Sequence, residues 1–66
     1  MDWKCVFTTR YEYIAEIVKA VMENNGVKCF SVSKKDSAYL FGEIELYVAP
    51  DDVIKAKQII KKESLE

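Results

Sequence analysis

In the first residues of the chain, successive side chains fall alternately on two faces, which is the pattern of a half-buried strand. This strand, β1, is predicted over 3–8. One face carries Trp3, Cys5 and Phe7, and the other carries Lys4, Val6 and Thr8. A helix, α1, is predicted to follow, because Thr9 and Glu12 have the spacing of a capping box. Its apolar side chains recur at helical spacing and form one stripe: Ile14, Ile17, Val18, Val21 and Met22.

Two further strands are predicted after α1. Asn25-Gly26 ends the helix, because glycine takes the left-handed conformation without steric cost. A second strand, β2, is predicted over 27–33. A third strand, β3, begins between Ala38 and Glu43 and ends near Ala49, and Gly42 marks a bulge or a bend within it. The two faces of its clearest part are Ile44, Leu46 and Val48 on one side and Glu43, Glu45 and Tyr47 on the other.

The C-terminal part of the chain predicts a second helix, α2. Pro50 stops β3 because it has no backbone N–H to donate. Asp51 is the predicted N-cap and Asp52 lies in the first turn, where a carboxylate favours the positive end of the helix dipole. The buried stripe is predicted to be Val53, Ala56, Ile59 and Ile60. Leu65-Glu66 breaks this spacing and is interpreted as a cloning remnant, so a single domain is expected over 1–64.

The order β1-α1-β2-β3-α2 predicts an α+β fold of the ferredoxin-like, split βαβ type. Each helix has one apolar face, so both are expected on the same face of a three-stranded antiparallel sheet. With β3 in the middle, the strand order is 1-3-2 and β1 lies about 9 to 10 Å from β2. Cysteines whose α-carbons are more than about 7 Å apart cannot be bridged, so Cys5 and Cys29 are expected to be unlinked. The opposite, open face of the sheet is expected to carry Val6 and Tyr47, with Phe30 or Val32 as further candidates.

Composition restricts the class of protein. The chain has 66 residues and a formal charge of -1, with acidic and basic side chains interspersed. Nucleic acid is not expected as a partner, because affinity for it depends on a lysine- and arginine-rich face. No apolar run approaches the roughly 20 residues of a membrane span, and the N-terminus lacks a signal-peptide pattern. We therefore expect a cytoplasmic protein that makes no membrane contact.

Residues that could perform chemistry are sparse. Histidine is absent, and the two cysteines, Cys5 and Cys29, form no CxxC motif. The two glycines form no phosphate-binding loop. Helix capping explains the adjacent acidic pair Asp51-Asp52. We therefore expect no enzymatic activity, no catalytic residue, no metal site and no cofactor.

Three segments resemble the small bacterial family named putative prokaryotic signal transducing protein, a domain of unknown function. They are the opening strand with Thr8-Thr9, EIVKAVMENNGVKCF at 16–30, and GEIELYVAPDDVIKAKQII at 42–60. The resemblance implies a ferredoxin-like α+β fold related to the nitrogen-regulatory PII-like group, and it carries over no catalytic residue. The chain departs from the family at Tyr11 and Tyr13, which occupy the predicted first turn of α1.

Two functions are compatible with this sequence. One is a regulatory or signal-transduction-type interaction module, whose partner is another protein or a second copy, acting through the open face, the β1 edge or the Tyr39–Phe41 region. The alternative is a regulatory domain that binds a small-molecule ligand at the β1–α1 loop, beside a helix N-terminus. The candidate binding residues are Arg10, Tyr39, Phe41 and Tyr47. A contiguous apolar patch favours the interaction module, and a concave pocket near Arg10 favours the ligand-binding domain.

Overall fold

The computed structural model describes residues 2–34 and 43–63. The elements are β1 (Lys4–Thr9), α1 (Glu12–Asn24), β2 (Cys29–Lys34), β3 (Glu43–Val48), a 3-10 turn (Pro50–Asp52) and α2 (Val53–Lys62). The strand order is β1-β3-β2, and β3 runs antiparallel to both neighbours. The predicted α+β fold and strand order are confirmed. The start of β3, the Gly42 bend and the proposed remnant at 65–66 lie outside the described residues.

The core lies between the sheet and the two helices. From β3 it takes Ile44, Leu46 and Val48, as the alternation predicts, and the last two have no exposed surface. The two helices cover them with six buried side chains: Ala15, Val18, Met22, Ala56, Ile59 and Ile60. Burying one large aliphatic side chain stabilises the fold by about 1.5–3 kcal/mol. The predicted apolar stripe of α1 is wrong at one position. Ile17 is 48% exposed, and Ala15 faces the core instead.

The end of α1 is a Schellman motif centred on Gly26. The Val27 N–H donates to the Met22 carbonyl at 2.9 Å, and the Gly26 N–H donates to the Glu23 carbonyl at 3.0 Å. Gly26 has a φ of 78°, the left-handed conformation expected of it. Val27 and Met22 are both buried, so the motif carries the chain directly into the core. As a result β2 begins at Cys29, two residues later than predicted.

Both helices begin later than their capping signals predict. The N-cap of α1 is Tyr11, and it makes no side-chain cap hydrogen bond. Thr9 is still part of β1, where it pairs with Ile44, and its hydroxyl accepts a hydrogen bond from the Tyr11 N–H at 3.2 Å. The predicted capping box is therefore wrong. Asp51 is not the N-cap of α2 either, because it lies inside the 3-10 turn.

A β-bulge in β1 overturns the alternation predicted for that strand. Cys5 pairs with Tyr47 and Phe7 pairs with Leu46, so the register shifts between them. Cys5 and Phe7 therefore lie on opposite faces of the sheet. Val6, which was expected on the open face, packs with Phe7 against the core. The extra residue of a bulge lets two adjacent apolar side chains turn inward, which a regular strand does not allow.

The two cysteines are free, as predicted, and they differ in environment. Cys5 is exposed on the open face, whereas Cys29 is buried beneath α1. Desolvation by burial raises the pKa of the Cys29 thiol, and the negative charge of Glu23 acts in the same direction. The positive charge of Lys19 acts against this rise in the pKa.

Replacing Gly26 tests the Schellman motif. Gly26→Ala is expected to lower the free energy of unfolding by about 1–2 kcal/mol, because an alanine side chain disfavours the left-handed conformation. No heavy atom lies within 4 Å of the added Cβ, so the whole loss comes from the backbone. The measurement is urea unfolding, read as a lower midpoint with an unchanged m-value. Gly26→Asn is the control and should lose less, since asparagine tolerates this conformation; equal losses for both variants would contradict the argument.

The difference between the cysteines predicts selective alkylation. Iodoacetamide at pH 8 is expected to modify Cys5 in the folded protein and to modify Cys29 only after denaturation. The raised pKa means that the folded protein holds less Cys29 thiolate than an exposed cysteine would at the same pH, and the thiolate is the reactive form. Peptide mass mapping measures both sites, and folded Cys5→Ser should take up no label. Rapid labelling of Cys29 in folded Cys5→Ser would disprove its burial.

Candidate functional site

The open face carries an exposed aromatic cluster at the start of β2. Phe30 pairs with Tyr47 across the sheet and is 41% exposed. The Trp3 ring meets the Phe30 ring edge to face, with 4.6 Å between centroids. The ammonium group of Lys28 lies over the Phe30 ring as well, 5.5 Å from its centroid. Trp3 comes before β1, so its ring reaches Phe30 across the end of β3. The contact restrains both rings, and aromatic pairs of this kind stabilise a fold by about 0.5–1.5 kcal/mol.

Further apolar side chains lie on the same sheet face, beside the carboxylate of Glu45, which pairs with Val32. Val32, two residues beyond Phe30 on the same strand face, is 44% exposed. Tyr47, opposite Phe30 on β3, is half-buried, and its hydroxyl donates to Glu45 Oε1 at 2.8 Å. Cys5 is exposed opposite Tyr47. We call this surface the open-face patch and define it as Trp3, Cys5, Phe30, Val32 and Tyr47.

The helix face of the sheet has a groove between α1 and β2. Its wider end encloses about 540 Å³ and is lined by Arg10, Tyr11, Glu12, Tyr13, Glu16, Ser33 and Ile44. A narrower part of about 180 Å³ shares several of these residues and adds Ala15, Lys19 and Ser31. We call the two parts together the α1–β2 groove. It therefore extends from the β1–α1 loop along the inner side of β2.

The groove exists because two serines stand where large apolar side chains would otherwise complete the core. Ser31 and Ser33 pair with Leu46 and Ile44, so they lie on the helix face of β2. Both serines are nevertheless exposed, whereas Ile44 beside them is buried. Small polar side chains on an edge strand do not draw a helix over them, and α1 leaves this part of the sheet uncovered.

Charged side chains form the α1 side of the groove. Glu12 and Glu16 lie one helical turn apart and line both parts of it. Arg10 lies at the wide end and Lys19 at the narrow end. Near the wide end, Tyr11 and Tyr13 are 59% and 62% exposed, with their ring centroids 5.7 Å apart. These tyrosines, where the chain departs from the family pattern, are thus surface residues.

The structure separates the candidate residues into two places. Tyr47 belongs to the open-face patch, and Arg10 lines the α1–β2 groove on the other face of the sheet. Tyr39 and Phe41 lie outside the described residues. The assignment of Phe30, Val32 and Tyr47 to the open face is confirmed.

Sequence reasoning overlooked two features of these surfaces. Trp3 was assigned to a strand face, but its ring contact with Phe30 depends on two strands that are distant in sequence. The groove was also missed, although the alternate serines of β2, Ser31 and Ser33, signalled a polar inner face.

The described ranges, 2–34 and 43–63, contain no group of three or more histidine, cysteine, aspartate or glutamate side chains placed to hold a metal ion. Neither α1 nor α2 has the length and apolar character that crossing a membrane requires.

Comparisons with known proteins identify the family. Searches of curated proteins and of solved structures each gave no significant match. A family profile described as "Putative prokaryotic signal transducing protein" matches residues 3–64. That range includes β1, both helices, the open-face patch and the groove. The chain therefore belongs to the family of putative prokaryotic signal transducing proteins.

Proposed function

We propose that this protein is a non-enzymatic interaction module of a cytoplasmic signalling system, and that it binds another protein through the open-face patch. The observation that carries the proposal is the exposure of Phe30 and Val32 beside Trp3 on the sheet face opposite α1 and α2. Isolated exposed apolar side chains are common, but a contiguous group of them is typical of a contact surface. The family description supports a role in signalling.

The arrangement of the aromatic rings supports a contact role. Trp3 and Phe30 are held against each other, and Lys28 lies over the Phe30 ring. A partner that packs on restrained rings loses less side-chain entropy than one that must order them on binding. Tryptophan and tyrosine also often dominate the energy of protein interfaces. Trp3, with Tyr47 nearby, is therefore our candidate for the centre of the contact.

Small-molecule binding in the α1–β2 groove is the second candidate function. It is favoured by the cavity of about 540 Å³ beside Arg10 and by an α1 N-terminus that has no side-chain cap hydrogen bond. Its polar lining suits a small charged or hydrogen-bonding metabolite. We rank it second because known ligand sites are mostly apolar enclosures with few polar groups, whereas this groove is lined largely by polar and charged residues.

Site-specific photo-cross-linking tests the interaction module. Val32 replaced by p-benzoylphenylalanine is expected to give an adduct of defined mass when the protein is irradiated in its native cells. Ile54 replaced in the same way is the matched control, because it is 74% exposed but lies on α2. In the Val32 probe, a second change, Trp3→Ala, should reduce the adduct yield by removing the adjoining contact. No adduct from position 32, or equal yields from positions 32 and 54, would contradict the proposal.

An amide-resolved NMR titration separates the two functions. With the small-molecule fraction of the native cell lysate, the proposal predicts no shifts from Thr8 to Glu12. With the macromolecular fraction, it predicts line broadening around Phe30, Val32 and Tyr47. Saturable shifts at 8–12 that disappear in Arg10→Ala would instead establish the groove as a ligand site and reject the interaction module in favour of the second candidate.

A further inference from the structure

We propose that the outer side of the two helices binds a second copy of this chain, with α1 of each copy packed against α2 of the other. This surface lies on the opposite side of the molecule from the open-face patch, so the inference goes beyond the proposed function. The dimer would have its helices inside and its sheets outside. Both open-face patches would therefore stay accessible to a partner.

Exposed apolar side chains on the helices mark this surface. Ala15 and Ala56 are buried, so they identify the core side of α1 and of α2. A residue two positions away in a helix lies on nearly the opposite side, because successive residues are turned by about 100°. Tyr13, Ile17 and Ile54 are placed in this way, and all three are exposed. Neither the core nor the open-face patch uses them.

The charged side chains of the two helices differ in sign. α1 carries three carboxylates and one ammonium group: Glu12, Glu16, Glu23 and Lys19. α2 carries four ammonium groups: Lys55, Lys57, Lys61 and Lys62. The carboxylates next to α2 in sequence lie at its ends, on Asp51 and Asp52 before it and on Glu63 after it. One helix is therefore acidic overall, and the other is basic along its length.

Within one chain the acidic flank of α1 is directed away from α2. Glu12 and Glu16 line the α1–β2 groove, on the side of α1 toward β2. α2 lies on the other side of α1, in contact with β1. A helix with its side chains is about 10–12 Å wide, so α1 separates these carboxylates from the lysines of its own chain. Glu16 is exposed, so a second molecule can reach it.

A two-fold axis parallel to the helices makes the contact self-complementary. It places α2 of each copy over the outer side of α1 of the other, so the interface contains the same pairing of acidic and basic helices twice. It also brings the flank of α2 that faces away from its own α1 beside the acidic flank of the other α1. Lys57 and Lys61, one turn apart on α2, would then lie near Glu16. Opposite charges placed in this way fix the orientation of two surfaces.

A second copy fits both helices, whereas an anionic membrane surface fits only one of them. Anionic lipids would attract the lysines of α2 but repel the carboxylates of α1. An acidic segment of another protein has the same disadvantage. The second copy is the occupant that brings carboxylates to α2 and lysines to α1 at once.

The size of this surface predicts a reversible dimer. α1 and α2 contain 13 and 10 residues, so they are about 20 and 15 Å long. Packed helices lie about 8–10 Å apart, which makes the outer side of the pair smaller than the roughly 800 Å² that each partner buries in a standard interface. Each copy also has its own core. We therefore expect folded monomers that associate as their concentration rises.

Sedimentation equilibrium over a range of protein concentrations tests the inference. The expected result is a monomer–dimer equilibrium that shifts toward monomer at high salt, because salt screens the charges between the helices. Ile54→Ser should weaken the dimer at least about tenfold, since each dimer loses two apolar contacts. Val32→Ser is the matched control, because Val32 is also an exposed β-branched residue but lies on the open face. A dimer that is weakened by Val32→Ser and not by Ile54→Ser would overturn the inference.

Exchanged charges test the orientation of the pair. Glu16→Lys or Lys61→Glu alone should weaken the dimer at least about fivefold, because each variant meets like charges in both halves of its own dimer. A mixture of the two variants should dimerise about as tightly as the unchanged protein, because each half of the mixed dimer joins one lysine to one glutamate. Circular dichroism verifies that both variants are folded. Failure of the mixture to recover the dimer would contradict the proposed pairing of α1 with α2.

Failure of this inference can be told apart from failure of the proposed function. A protein that stays monomeric at every concentration would overturn the dimer and leave the partner adduct from position 32 unaffected. If the dimer forms, the probe at position 54 gives an adduct of twice the chain mass, which differs from the partner adduct from position 32. Binding of the protein to vesicles of phosphatidylglycerol, with no dimer in solution, would assign the lysines of α2 to a membrane and would also overturn the inference.

Discussion

The pairing of β3 with both of its neighbours is the constraint on which the rest of this structure depends. Its inner side chains, Ile44, Leu46 and Val48, lie at the centre of the core, under both helices. A chain of this size buries only about 60% of the surface that its unfolded form exposes, so little apolar area is available elsewhere. The central strand therefore determines where the helices pack, and within residues 2–34 and 43–63 no helix covers the opposite sheet face.

The central position of β3 also makes β1 and β2 the two edges of the sheet, and the sequence treats them differently. In β1 the bulge turns both Val6 and Phe7 toward the core, which adds apolar contacts and breaks the regular edge. In β2 the alternation is strict, with Phe30 and Val32 outward and the serines toward α1. One edge thus contributes chiefly to packing, while the other borders both candidate surfaces of the molecule.

The two surfaces differ in the kind of binding that they support. The open-face patch presents rings already in contact, with Trp3 against Phe30, and such preorganised apolar groups suit a protein contact. The α1–β2 groove is polar and exists because Ser31 and Ser33 leave α1 unsupported over the edge. Both surfaces border β2, whose alternate side chains face one or the other of them.

The sequence by itself determined the element order, the strand order, the two faces of β3 and the Gly26 turn. The strand order follows from the right-handed crossover and from the single apolar face of each helix. The other three follow from local periodicity or from a backbone conformation that one residue type favours. Tertiary structure decided the bulge in β1, the true helix starts, the exposure of Ile17 and the groove. Thr9 extends β1 because Ile44 lies opposite it, and Val6 turns inward because the bulge shifts the register of β1 against β3. These outcomes depend on contacts between residues that are distant in sequence, and local patterns do not encode such contacts.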